Sequence, residues 1–440
     1  MYLFVFSLHK RYICLLLKHM RTAYSHAFFV GNLPDGIKLS VLKKSLLWEH
    51  RILSEDEFGD ACSYFHKSHI NAMQESEAAK KPRFLKNVRH YVHNVDKSFP
   101  LSLITNGTLK VLDMYYLKIV RLHIYTFPLN FTLFAIEIDD TGSDLNEMTL
   151  AHSWLRDIPS RLNSFGHSGI KESLEPLLKL IPTRKNKSGN EQDERVKELM
   201  DKGNKLKIFQ VVHIDEFSDN LLYEIGTCSK IEAVGSGDIY APSDDYFRSI
   251  MKENTVAPFL NWKGLALKDS FTVLFSGECD EYKKSDYDSR WCGSYFPLIY
   301  LRVVFQSVFL FSRDEGYRRG TSSGNVVREL SKMEKYYFYD DISFNFLPNM
   351  LNSVMEKGLG IAEARKEVST QIKETEDRNT NIVFGVVSVF AVLSVAYDFY
   401  SMLIVINCAW ATKTLAICIS VVAIMAIIFV IWLLRSRKSI

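Results

Sequence analysis

A chain of 440 residues is long enough for about two to three domains and a sizeable core. Lysine and arginine total 54 against 51 aspartates and glutamates, a formal net charge of +3, so the balance gives no general argument for direct nucleic-acid binding. Seven cysteines (Cys14, Cys62, Cys228, Cys279, Cys292, Cys408 and Cys418) are dispersed without CxxC spacing, which predicts reduced thiols rather than a disulfide framework.

The first residues, MYLFVFSL, are apolar, but His9, Lys10 and Arg11 follow at once. A signal peptide places its positive charges ahead of the apolar stretch, so the expectation here is a strand followed by a short amphipathic segment. Further strands are predicted at 27–30, 120–125, 131–138, 206–214 and 271–275, from alternating or clustered β-branched and aromatic residues. The pair 120–125 and 131–138 flanks Thr126-Phe127-Pro128-Leu129-Asn130 and reads as a hairpin. Helical patterns fall at 145–163 and 173–180, and a charged loop at 184–194. This mixed order of strands and helices predicts an α/β (mixed) body.

The run 295–311 is apolar, but Arg302 and Gln306 lie in its middle. A central arginine costs about 2.5–3.5 kcal/mol on membrane-insertion scales, so a buried or interface helix of the body is expected. Beyond Gly358 and Gly360 the chain reads IAEARKEVSTQIKETEDRNTN without a breaker. Ile361, Ala364, Val368 and Ile372 recur at three and four residues, a narrow apolar seam that suits either self-association or packing on the chain's own domain.

Two long apolar runs follow, at 382–400 and 414–434, with Asp398 near the end of the first. Crossing ~30 Å of hydrocarbon takes roughly 20 apolar residues, so a transmembrane hairpin is predicted, joined by a turn holding Asn407, Thr412 and Lys413. Arg435, Arg437 and Lys438 follow the second run, Lys373 and Arg378 precede the first, and the turn carries only Lys413. The positive-inside rule then places both termini in the cytoplasm of a multi-pass protein of the inner (plasma) membrane. The expected domains are a cytoplasmic α/β domain at 1–294, a helical region with a stalk helix at 295–380, the hairpin at 381–434, and a basic tail at 435–440.

Signs of catalysis are sparse. His66-x-x-His69 and His90-x-x-His93 pair imidazoles at helical spacing, without the glutamate of HExxH or a nearby cysteine. The acidic run Glu278, Asp280, Glu281, Asp286 and Asp288 lacks the glycine and closing glutamate of an EF-hand and reads as a solvated loop, with a regulatory cation site between subunits as the alternative. No phosphate-binding, nucleophile-elbow or dinucleotide fingerprint occurs, so an enzyme is not expected.

The stretch FLPNMLNSVMEKGLGIAEARKEVSTQIKETEDRNTNIVFG, with the hairpin and basic tail behind it, resembles the CorA-like metal ion transporters. RLHIYTFPLNFTLFAIEI followed by DLNEMTLAHSWLRDI resembles their cytoplasmic domain, so the likeness covers about residues 120 to 440. It implies an α/β domain, a long stalk and two C-terminal spans, assembled as a homo-oligomer, a pentamer in that family. It also implies Mg2+ or another divalent cation as permeant or regulatory ion, with no covalently bound cofactor.

The family's Gly-Met-Asn signature is absent. With Asn381 matched to the asparagine at the pore entry, the signature position falls on Asp398, Phe399 and Tyr400, and Tyr397 keeps the preceding aromatic. That departure bears on magnesium uptake and leaves the architecture untouched. The pore-lining candidates are Asn381, Ser388, Ser394, Asp398 and Ser401, with Asp398 the candidate metal ligand or else an interfacial carboxylate solvated or paired with Lys413, and Ser388 equally suited to helix packing. On a straight helix Ser394, Asp398 and Ser401 fall within about a 60° arc, while Asn381 and Ser388 lie about 80° or more away. Divergent relatives accompany type III CRISPR systems, which implies a small nucleotide second messenger as activator in antiviral defence. The alternative is a membrane-anchored scaffold, or an effector that perturbs the bilayer without selective conduction.

Overall fold

Strand β1 (Tyr24–Asn32) carries AFFV at 27–30, apolar on both faces, and it sits where such a strand must, inside a sheet covered on both sides. The computed structural model describes residues 20–33, 37, 39–77, 88–101, 115–157, 205–216, 218–237, 241–318 and 323–405. The other strands are β2 (Glu49–Arg51), β3 (Arg89–Leu101), β4 (Tyr115–Thr126), β5 (Thr132–Asp139), β6 (Lys207–Ile214), β7 (Thr255–Val256), β8 (Trp262–Leu267) and β9 (Ser270–Ser276). Among the described residues they form one nine-stranded sheet in the order β2-β3-β4-β5-β1-β6-β9-β8-β7. Only β6 and β9 pair in parallel; every other neighbour is antiparallel. The body is thus mixed α/β, as its pattern predicts.

All predicted strands that lie within the described residues form, whereas β2, β3, β7 and β8 carry no clear apolar run and were not anticipated. The hairpin register runs from Thr126↔Thr132 at the turn to Arg121↔Glu137. Leu129 and Asn130 take φ of 60° and 64° at its tip, the left-handed region in which a tight reversal is made.

One face of the sheet packs on the helices Leu145–Arg156 and Asp219–Thr227, capped by Asp144 and Ser218. Ala27, Phe29, Ile136, Ile138 and Ile208 meet Ala151, Trp154 and Leu155 there. A chain of buried polar groups crosses this layer. Tyr115 Oη donates to Asp140 Oδ1 (2.5 Å), Asp140 Oδ2 lies 2.6 Å from His152 Nε2, and Gln210 joins His152 Nδ1 (3.1 Å) to Thr272 Oγ1 (2.7 Å). Each member has partners, so burial costs little.

The opposite face is covered by the continuous helix Glu281–Gly316, within which Tyr287–Tyr300 is π-helical. Phe28 stacks on Phe296 at 3.9 Å between ring centroids, and Phe127 on Phe305 at 4.2 Å. Among the described residues this is the one helix found long and apolar enough to cross a membrane, and 78% of its most apolar window is buried in the protein. Burial explains the composition: it is a core helix. The expected boundary at 294/295 lies within this continuous helix.

Two units divide the chain, Met1–Phe309 with Met333–Ala362, and Leu310–Lys332 with Glu363–Ile440. In the first, the helix Phe346–Gly358 ends against β8. A Cβ on Gly358 would stand 2.6–2.7 Å from Ala266 Cβ, C and O, and the backbone there cannot yield as a side-chain tip can. Gly358→Ala is therefore expected to destabilise the body by about 1–3 kcal/mol, read as a lowered melting temperature.

In the second unit, Val368 and Ile372 are buried, and Gln371 Nε2 donates to Asp314 Oδ1 at 2.6 Å. These residues belong to the helix Ile361–Val405, which runs 45 residues without a break, about 67 Å at helical rise. It passes through Gly385 without ending there. The predicted segments 1–17, 173–180, 184–194 and 414–434, the end of the 145–163 helix and the basic tail lie outside the described residues.

Candidate functional site

Alternation along three central strands gathers a set of charged side chains on the sheet face beneath the π-helical segment. His26 on β1, Arg121 and His123 on β4, and Glu137 and Asp139 on β5 share this face because their cross-strand registers, His26↔Asp139 and Arg121↔Glu137, are even with one another. Glu137 is the centre. Its side chain is fully buried, and Arg121 donates to it through both Nε (2.6 Å) and Nη2 (2.7 Å), the two-pronged geometry that matches guanidinium to carboxylate.

His123 Nε2 also reaches Glu137, at 2.9 Å, and must donate, since a carboxylate only accepts. His123 Nδ1 in turn lies 2.9 Å from His90 Nε2, whose ring stacks on Tyr125 at 4.2 Å. Burial alone would raise the Glu137 pKa. The hydrogen bonds from His123 and Arg121, with His26 close by, outweigh that and hold the carboxyl well below the usual range. His90 is pushed the other way, first by burial and then by its cationic neighbours, and stays neutral.

The cluster continues outward toward the π-helical segment. Tyr24, two residues before His26 and stacked on it at 5.0 Å, donates from Oη to Asp288 Oδ1 at 2.6 Å and lies 3.5 Å from Cys292 Sγ. His213 on β6 is held by Tyr287 Oη (2.8 Å) and by the carbonyl of Gly277 (2.8 Å). Of this set, only His90 and Asp288 stand out by sequence spacing. The available signal was Arg121-x-His123-x-Tyr125 facing Glu137-x-Asp139 across a predicted hairpin, polar at alternate positions inside otherwise apolar strands.

The two histidine pairs singled out by spacing do not form sites. His90 and His93 lie on β3, not on a helix, so an interval of three puts them on opposite faces; His93 Nδ1 lies 2.9 Å from the Leu47 carbonyl. His66 is the residue before the helix Lys67–Met73 and faces Asp341 at 3.3 Å, while buried His69 spans Tyr339 Oη and the Leu298 carbonyl, both at 2.8 Å. Burial pushes His69 down to about 3, so it acts as a neutral core brace. In the acidic run, Glu281–Asp286 form a short exposed helix capped by Asp280, and Asp288 opens the π-helical stretch.

The predicted pore residues Asn381, Ser388, Ser394, Asp398 and Ser401 all lie on the helix Ile361–Val405, as do Phe399 and Tyr400. Ser394, Asp398 and Ser401, at intervals of four and three, share one side. Ser394 and Asp398 are exposed. Ser388 Oγ donates to the Phe384 carbonyl (2.7 Å) and Ser401 Oγ to the Tyr397 carbonyl (3.0 Å). That back-bonding satisfies each hydroxyl within its own helix. Of the seam, Ile361, Val368 and Ile372 are buried within the single chain, and Ala364 is half-buried.

Comparison of the chain with family models, with curated proteins and with solved structures gives no match.

Proposed function

We propose that this chain is the subunit of a homo-oligomeric, CorA-like membrane channel for cations, gated by its large α/β body. The observation that carries the reading is the unbroken helix Ile361–Val405, which joins a charged stretch to the apolar run at 382–400. A single rigid rod of this kind turns a small change at one end into a displacement at the other, which is how subunit rearrangements reach a pore. In this reading the hairpin 381–434 spans the inner membrane, with both termini cytoplasmic and copies arranged around an axis as in the family's pentamers.

Asp398 then supplies a ring of carboxylates at one end of the pore, in place of the missing signature. Hard dications such as Mg2+ take oxygen ligands and keep their water, so such a ring would act on the hydrated ion. The gating input on this reading is a divalent ion or a small nucleotide second messenger.

Flux through liposomes holding the purified protein tests the proposal. Cation-selective conductance is expected, and Asp398→Asn is expected to lower divalent flux by about tenfold or more, the scale on which a carboxylate cleft concentrates counter-ions. A monomer that conducts nothing with Mg2+ or with nucleotide second messengers would leave the anchored scaffold as the better reading.

A further inference from the structure

We infer that His26, Asp288 and Cys292 form a binding site for a zinc-class transition-metal dication, which clips the π-helical segment to strand β1. Each offers one ligand atom, and the three atoms lie within 4.8 Å of one another. Metal–ligand bonds of about 2.0–2.3 Å in a tetrahedral site put the ligand atoms about 3.3–3.8 Å apart, so a contraction of about 1 Å closes the site. Asp288 and Cys292 come from one turn of the helix, and His26 from the strand below.

The surroundings are those of a ligand set. His26 Nδ1 is buried and without a hydrogen bond, 3.7 Å from Glu137 Oε1. Nε2 lies 3.6 Å from Asp139 Oδ1. Whichever nitrogen faces the ion, the other lies 3.6–3.7 Å from a carboxylate, so a small shift makes the hydrogen bond that orients metal-bound histidines. Tyr24 Oη holds one oxygen of Asp288 and leaves the other for the metal. The exposed side of Asp288 leaves room for water as a fourth ligand.

One sulfur, one nitrogen and one oxygen suit zinc or cobalt and disfavour Mg2+, which takes oxygen donors only. Binding transfers the Cys292 thiol proton to solvent as the metal–sulfur bond forms. The site is therefore distinct in chemistry from the proposed pore, and either reading can fail without the other.

The test uses the full-length protein, stripped by a chelator and titrated with Co2+ alone. One cobalt per chain is expected, with a thiolate-to-cobalt charge-transfer band and tetrahedral visible absorption, both abolished by added Zn2+. Cys292→Ser is expected to remove the charge-transfer band, while Cys228→Ser keeps it. Asp288→Asn, which can still accept from Tyr24 Oη through its amide oxygen, is expected to weaken cobalt binding by about 10–100-fold. No band in the parent protein would overturn the site, and so would unchanged affinity in Asp288→Asn. A band that survives in Cys292→Ser assigns the metal elsewhere and overturns it too.

Discussion

Glu356→Leu is expected to cost the body about 3–5 kcal/mol, because it leaves a fully buried guanidinium without its counter-charge. Arg302 is 0% exposed, and its Nη2 donates to Glu356 Oε1 at 2.7 Å and also to Asn352 Oδ1. Its Nη1 donates to the carbonyls of Tyr337 (2.7 Å) and Tyr339 (3.0 Å), and the Tyr339 ring lies 5.2 Å away. One side chain thus ties the core helix to the 337–339 turn and to the helix Phe346–Gly358. Burial lowers the Arg302 pKa and Glu356 raises it again, so removing Glu356 removes the main opposing influence.

The reverse substitution separates charge from packing. Arg302→Met is expected to cost less than Glu356→Leu, because Glu356 is 21% exposed and water can take over its stranded charge. The double variant should be less destabilised than the two singles added together, with a coupling of about 0.5–3 kcal/mol. Melting midpoints of the four proteins, followed by near-ultraviolet circular dichroism, give the cycle. If Glu356→Leu costs under about 1 kcal/mol, as for an exposed pair, the ion pair is hydrated and the argument fails.

Arg302 also shows what the sequence could and could not yield. A charge in the middle of 295–311 argued against a membrane span, and the helix is indeed core; its partner, 54 residues onward, is fixed only by tertiary packing. The central strands were legible because both of their faces are buried, which makes them continuous apolar runs. Strand β3 was not, since RHYVHNVDKSFPL mixes charge with apolar residues and its register shifts between Asn94 and Lys97, where Asp96 takes a φ of 41°. The Glu137 cluster lay halfway between. The predicted hairpin, with strands at 120–125 and 131–138, brings Arg121 and Glu137 onto neighbouring strands, but the pairing Thr126↔Thr132 that sets Arg121 opposite Glu137 is fixed only by the turn geometry in the fold. The arrival of His26, Asp288 and Cys292 from distant stretches follows only once β1 lies beside β5 and the core helix lies across both.

Glu137→Gln is expected to cost about 3–5 kcal/mol near neutral pH, and the cost should itself depend on pH in a defined way. The folded state lowers the Glu137 pKa below its ordinary value of 4.5. A depressed carboxyl contributes stability that is complete above 4.5 and is lost as pH falls through the folded value. His26 behaves oppositely: burial lowers its pKa, but contacts with Glu137 and Asp139 raise it above 6.5 overall. Its contribution is complete below 6.5 and is lost as pH rises through the folded value. Replacing Glu137 removes its own contribution and part of that of His26. The gap between parent and variant should therefore be widest between 4.5 and 6.5 and should narrow on both sides. Melting temperatures measured in chelator at about pH 3, 5.5 and 8 test this, the chelator keeping any metal at His26 from adding its own proton linkage. Parallel profiles at all three pH values would mean that Glu137 is not ionised in the fold, and that Arg121 and His123 are held by something other than its charge.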